Sequence, residues 1–172
     1  MLISAERIIS ERLVLDPLGV DDAEEMAAVL GDEALYEFIG GTAPCLEGLR
    51  EHYLLLTAGS AKADEIWLNW VVRSAVDDRA IGTLQATVSR RLEGHPYAEL
   101  SWVIGTRWQE HGFATEAARS LVGWLKSKKV GDFAAHIHDC HHASAAVARH
   151  LGLAPTPLRR DGEVLWRNAG SL

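Results

Sequence analysis

The sequence predicts a mixed α/β fold built on a hairpin-rich sheet, in the order β-α-α-α-β-β-β-α-β-α-β-β. Three observations predict it. Runs rich in β-branched and aromatic residues alternate with runs whose apolar residues recur at helical spacing. The middle of the chain places strands end to end with only short turns between them, which is a hairpin arrangement. A later strand then passes through a small-residue turn directly into a long amphipathic helix, over residues 98–125.

Glu11–Pro17 reads as the opening strand, stopped by Pro17 and Gly19. Asp21 and Asp22 are N-cap candidates for a helix that carries Ala23, Met26, Ala27 and Leu30 on one side and ends at Gly31. A short helix follows near 32–39, and another runs from Leu46 to about Ala58. Ile66–Arg73 and residues 80–89 are strands joined by a turn at Asp77-Asp78. In the second of these, Thr83, Gln85, Thr87 and Ser89 alternate with Leu84, Ala86 and Val88, so one face is polar. A Gly-His-Pro turn at 94–96 leads into the strand at 98–104. The long helix carries Ala117, Leu121, Val122 and Leu125 inward, with Lys126, Lys128 and Lys129 in its last turn, where cations oppose the dipole. A strand at 132–138, a helix at about 142–151 closed by Gly152, and strands near 156–160 and 163–168 complete the order.

A chain of 172 residues without repeats or a linker is expected to be one domain over 1–172. No run approaches the ~20 apolar residues needed to cross a bilayer. The amino-terminal residues lack the basic flank and apolar stretch of a signal peptide, so no membrane association is expected. Cys45 and Cys140 are isolated, which fits a reducing cytoplasm rather than a disulfide framework. A net charge of −7 excludes nucleic-acid binding as the main activity and favours a cationic partner.

Residues 108–118, Trp-Gln-Glu-His-Gly-Phe-Ala-Thr-Glu-Ala-Ala, are the most informative stretch. A strand, a small-residue turn and a helix start make an anion site, because the first turn of a helix offers unpaired N–H groups and partial positive charge. Gly112 and Ala114 let the backbone close on a phosphate. The segment is not G-x-x-x-x-G-K-[ST] or G-x-G-x-x-G, so nucleotide hydrolysis and dinucleotide binding are unsupported.

Gln109-x-x-Gly112-x-Ala114 resembles the phosphate loop of the GNAT acyltransferases, and the element order is also theirs. Ser10–Pro17, Ile81-Gly-Thr-Leu84, Ala98–Ile104, Gly112–Ala117 and Ala143–Leu153 are similar to segments of the branch that contains the ribosomal-protein N-terminal acetyltransferases. The resemblance covers about residues 10–168. It implies a largely antiparallel sheet with splayed parallel central strands flanked by helices, acetyl-CoA as co-substrate without a metal, and a homodimer. The acceptor it implies is a small-molecule amine or a peptide N-terminus.

In that comparison, backbone at Trp102, Val103 and Ile104 meets the pantetheine, while Gln109, Glu110, His111, Gly112, Phe113, Ala114 and Thr115 surround the phosphates. Four positions depart from the branch. Asp16 stands in place of a basic residue, and Glu110-His111 replace Gly and Lys or Arg. A functional loop requires the Glu110 side chain to face solvent. His141 replaces an Asn, as a contact to the pantetheine or leaving group. Ala148 occupies the position where GNAT enzymes outside this branch carry a Tyr general acid.

Acetyl transfer to an amine requires a neutral amine, donors for the oxyanion and a proton or hydrogen bond for the departing thiolate. Glu99, the lone acid in its strand, is the expected base, grouped by alternation with Ser101 and Val103. The competing reading is a Glu99 simply solvated or paired with an arginine. Ser144 is the expected donor to the coenzyme sulfur, or an N-cap for the closing helix, or both. Glu116 is read as complementing the helix dipole rather than as a base. His136, His138, His141 and His142 are close in sequence, but without zinc-motif spacing no metal site is expected. Trp70 and Trp102 are expected in neighbouring strands lining an acceptor pocket. The different-class alternative is a non-catalytic coenzyme A-binding or metal-sensing domain on the same fold.

Overall fold

Eight strands form one sheet in the order β1-β2-β3-β4-β5-β6-β8-β7, in a computed structural model that describes residues 3–90 and 95–168. The expected opening strand is broken into β1 (Ile8–Ile9) and β2 (Leu13–Pro17), which pair antiparallel across residues 10–12. Helices α1 (Ala23–Val29), α2 (Tyr36–Ile39) and α3 (Leu46–Ala58) follow. The strands β3 (Glu65–Ser74), β4 (Ala80–Arg90) and β5 (Pro96–Ile104) make the antiparallel centre. Then come α4 (Phe113–Ser127), β6 (Asp132–His138), α5 (His142–His150), β7 (Leu153–Arg160) and β8 (Glu163–Asn168).

Alternation along the strands divides the interior in two. Leu68, Trp70, Leu84, Ala98 and Leu100 face Leu121, Leu125 and Ala148 from α4 and α5 in the larger cluster. On the other face Val71 and Ala80 meet Met26, Leu49 and Tyr53 from α1 and α3. The polar alternation of β4 lies on this second face, where Gln85 pairs across to Asn69 and Ser101.

The pairing of β5 with β6 is parallel but brief. Only Tyr97, Ala98 and Glu99 find partners, at Asp132, Phe133 and Ala134. Beyond Glu99 the two strands diverge, and β6 continues by pairing with β8 instead. This is the splay that the resemblance implied.

Several expectations need correcting. Trp70 and Trp102 are not on neighbouring strands, because β4 lies between them and pairs Leu84 with both. Trp70 is fully buried, donates Nε1–H to the Glu6 carbonyl at 2.8 Å and meets Trp124 edge-on. Residues 20–22 form a short 3-10 turn before α1; Asp22 is the N-cap of α1 as expected, but its carboxylate accepts from the Gly19 amide and makes no cap hydrogen bond to α1. The N-cap of α5 is His141, so Ser144 lies inside the first turn and is not a cap. Strand β7 starts three residues earlier than expected, at Leu153. Gly94, in the expected turn at 94–96, lies outside the described residues.

Candidate active site

The split between β5 and β6 opens a cavity of about 320 Å³. Its floor is Gln85 and Thr87 of β4 with Glu99 to Trp102 of β5. One wall is Ala135 to His138 of β6, with His141 and Ser144 at the start of α5. Arg160 and Glu163 close the side, and Ile39 of α2 reaches over it. Glu99 and Ser144, expected from sequence to serve the nucleophile and the leaving group, therefore line one cavity. Trp102 is there as well, without Trp70.

Glu99 is not simply solvated. Its Oε1 accepts from His136 Nδ1 at 2.8 Å and from Arg160 Nη2 at 3.0 Å, while its side chain remains 33% exposed. Its partners are 37 and 61 residues away in the chain. Alternation places Glu99 on the cavity face, but nothing local in the sequence announces Arg160 or selects His136 from its neighbours.

At the start of α5, Ser144 Oγ lies 3.4 Å from His141 Nε2. The His141 ring stacks on Phe38, with centroids 4.8 Å apart. Burial pushes the His141 pKa down, neighbouring His138 adds to this, and Glu37 opposes it. His141 is thus held toward its neutral form. Among the described residues no three potential ligands converge as a metal site.

The loop before α4 supplies the anion-binding geometry. Gly112 adopts the left-handed conformation, φ 78°, and is the N-cap of α4. The amides of residues 110–115 donate to no described acceptor, whereas Glu116 N–H already reaches the Gly112 carbonyl at 3.0 Å. A run of unpaired amides at a turn and helix start is a concave anion site. Glu110 is itself left-handed, φ 64°, and its side chain is exposed, as a working loop requires. His111 stacks on Phe113, and Gln109 donates its side-chain N–H to the Ile104 carbonyl at 3.0 Å, tying the loop to the end of β5.

The sequence reading missed Arg12. Its guanidinium lies 4.6 Å from the Phe113 ring centre and donates Nη1–H to the His111 carbonyl at 3.1 Å. Glu116 holds it, accepting from Arg12 Nε at 2.7 Å, from the Arg12 amide at 2.8 Å and from the Ser10 hydroxyl at 2.8 Å. Burial opposes ionisation of Glu116, but these hydrogen bonds and the Arg12 charge hold its carboxyl below the ordinary range. Its main task is therefore to anchor the β1–β2 corner against α4, more than to complement the dipole.

The unpaired edge of β5 beyond Glu99 and the free amides of 110–115 fit a long ligand that ends in phosphates and carries amide groups along its length. Coenzyme A has that chemistry.

Comparisons with known proteins agree with this architecture. No curated protein sequence matches this one. Among solved structures, RimL, the ribosomal L7/L12 α-N-protein acetyltransferase in complex with coenzyme A, superposes with a TM-score of 0.76 at 15% identity, over 95% of this chain and 97% of that one. The structure of AAC(6')-Ib in complex with paromomycin and acetyl-CoA gives 0.74 at 16% identity, over 93% and 94%. An acetyltransferase of the GNAT family from Bacillus anthracis gives 0.72 at 18% identity, over 94% and 96%. At these identities the likeness is one of fold. The family model for the acetyltransferase (GNAT) domain matches residues 12–154, most of the sequence, and the chain belongs to the GNAT acetyltransferase family.

Proposed function

We propose that this protein transfers an acetyl group from acetyl-CoA to a primary amine by direct attack, with general-base assistance and no acyl-enzyme intermediate. The observation that carries the proposal is the cavity in the β5–β6 split, which places Glu99 and Ser144 around one space beside the free edge of β5. Acetyl-CoA supplies the activated thioester. The backbone of Trp102, Val103 and Ile104 receives the pantetheine amides, and residues 109–115, Gln109 to Thr115, receive the phosphates. Ser144 donates to the sulfur with His141 beside it, and the Glu99 side of the cavity receives the amine and its proton.

The acceptor is a small-molecule amine or a peptide N-terminus, and the negative charge of the chain favours a cationic one. The enzyme acts as a single domain over 1–172, as a homodimer in the cytoplasm. Sedimentation at tens of micromolar, a range that exposes weak association, tests the dimer. The Arg160–Glu99 ion pair is the one feature that favours a coenzyme-binding domain without turnover. Thiol release from acetyl-CoA in the presence of peptide, polyamine, amino-acid and amino-sugar pools separates the two readings. Acceptor-dependent thiol establishes the transferase, and tight coenzyme binding without it establishes the binder.

A further inference from the structure

Resting on that reading, we infer that the proton-accepting atom is Nε2 of His136 and that Glu99 is its positioning residue, the two forming a Glu–His pair that Arg160 braces. A carboxylate 2.8 Å from Nδ1 requires a proton on that nitrogen, because two lone pairs repel at such a distance. The neutral ring is therefore the Nδ1–H tautomer, and Nε2 carries the lone pair. Arg160 Nη2, 3.4 Å from Nδ1, faces another donor there, so its hydrogen bond is the one to Glu99 Oε1 at 3.0 Å. Nε2 has no partner among the described residues, and His136 lines the cavity with its side chain 12% exposed.

The geometry is that of an imidazole oriented by a carboxylate, the arrangement in which the ring and not the acid handles the proton. One oxygen of Glu99 already accepts two donors, and the imidazole presents a free acceptor. Once protonated, the imidazolium remains paired with the Glu99 carboxylate.

The charged and titratable groups facing His136 are Glu99 from β5, Arg160 from β7, Glu163 from β8, His138 on its own strand and His141 at α5. From β4 the facing groups are neutral, Gln85 and Thr87. In the reaction the amine nitrogen forms its bond to the thioester carbonyl carbon and the carbon–sulfur bond breaks. The proton lost by nitrogen goes to His136 Nε2, and the thiolate takes one from water through Ser144.

Two measurements test the assignment, and the first needs no acceptor. Nitrogen-15 correlation spectra of the free protein should show neutral His136 as the Nδ1–H tautomer. An Nε2–H tautomer overturns the proposal. The second compares His136→Gln with Glu99→Gln, using spermidine, an alanyl peptide and kanamycin as amine probes. His136→Gln should lower turnover by roughly 10²–10⁴ and remove the acid limb of the pH profile, with coenzyme affinity retained. Glu99→Gln can turn its amide N–H₂ toward Nδ1 and hold the ring in the wrong tautomer, so it should cost up to roughly 10⁴-fold, but no more than His136→Gln. Added imidazole should partly restore His136→Gly. A His136→Gln enzyme with wild-type turnover and pH profile overturns the proposal, as does a larger loss in Glu99→Gln. If the wild type releases no thiol with any probe, the acetyl-transfer reading itself fails, while the tautomer still decides the His136 geometry.

Discussion

Replacing Glu116 with alanine should destabilise the protein by about 3 kcal/mol, through contacts made far from α4 in sequence. Its carboxylate accepts from the Ser10 hydroxyl, the Arg12 amide and Arg12 Nε, all at 2.7–2.8 Å, with the side chain only 18% exposed. A hydrogen bond to a charged group contributes ~1.5–3 kcal/mol net. The three share one carboxylate, and the freed Arg12 and Ser10 groups regain water, so the total is about 3 kcal/mol rather than the full sum. For a domain of this size that corresponds to a fall of about 6–12 °C in Tm. The folded-state pKa of Glu116 is depressed, so its stabilisation is fully present above the ordinary value of 4.5 and is lost as pH falls through the folded value. Urea unfolding of wild type and Glu116→Gln should therefore differ at pH 7 and converge in acid. A difference below about 1 kcal/mol for Glu116→Ala at pH 7, or one that does not change with pH, would refute the anchoring role. Because Arg12 also holds the His111 carbonyl, coenzyme affinity should fall in the same variants.

Three further outcomes are expected. Gly112→Asp should abolish coenzyme binding in calorimetry while the fold survives, since a side chain there starts 3.7 Å from Arg12 Nη2 and can pair with it, placing an anion where phosphates approach; unchanged affinity would refute the phosphate loop. Tyr53→Phe should be neutral or stabilising by up to ~1 kcal/mol, because the buried Tyr53 hydroxyl has no partner among the described residues, and a clear loss of stability would reveal one. Burial and His138 depress the His141 pKa, so wild-type stability from this group is complete above the ordinary 6.5 and declines as pH falls below it; His141→Gln should flatten that decline in pH-dependent urea titrations.

The strands and helices were legible where a single periodicity governed a segment. The stretch from Phe113 to Ser127 shows its apolar face at helical spacing, and β4 shows its polar face by strict alternation, so burial in the structure follows the pattern. The backbone geometry of the loop before α4 was legible because it is local: one left-handed glycine and a helix start set the amides of 110–115 free. Sheet order was less so. Placing Trp70 beside Trp102 treats two aromatic strands as neighbours, but the hairpin preference inserts β4 between them. The N-cap expectation for Ser144 failed because residue type alone does not fix where a helix begins, and the chain turns into α5 at His141.

The groups proposed for acid–base work were half legible, and the division follows distance along the chain. Alternation in β5 put Glu99 on the correct face, but its environment comes from β6 and β7, whose approach depends on the splay and on the β7–β8 hairpin. The leaving-group side illustrates the same dependence from the opposite direction. Ala148 stands where other GNAT enzymes carry a tyrosine, and it is fully buried in the core between α4 and the sheet. A tyrosine there would overpack that core, at a cost of ~1–3 kcal/mol or more. Its absence is thus built into the packing of α5 and is more than the loss of one functional group. In the proposed reaction, the proton for the thiolate enters from the start of the helix, where Ser144 and His141 face the cavity, rather than from its buried middle. The two faces of α5 divide the labour: Ala145 and Ala148 fix the helix against the core, and that fixation holds Ser144 at the cavity wall.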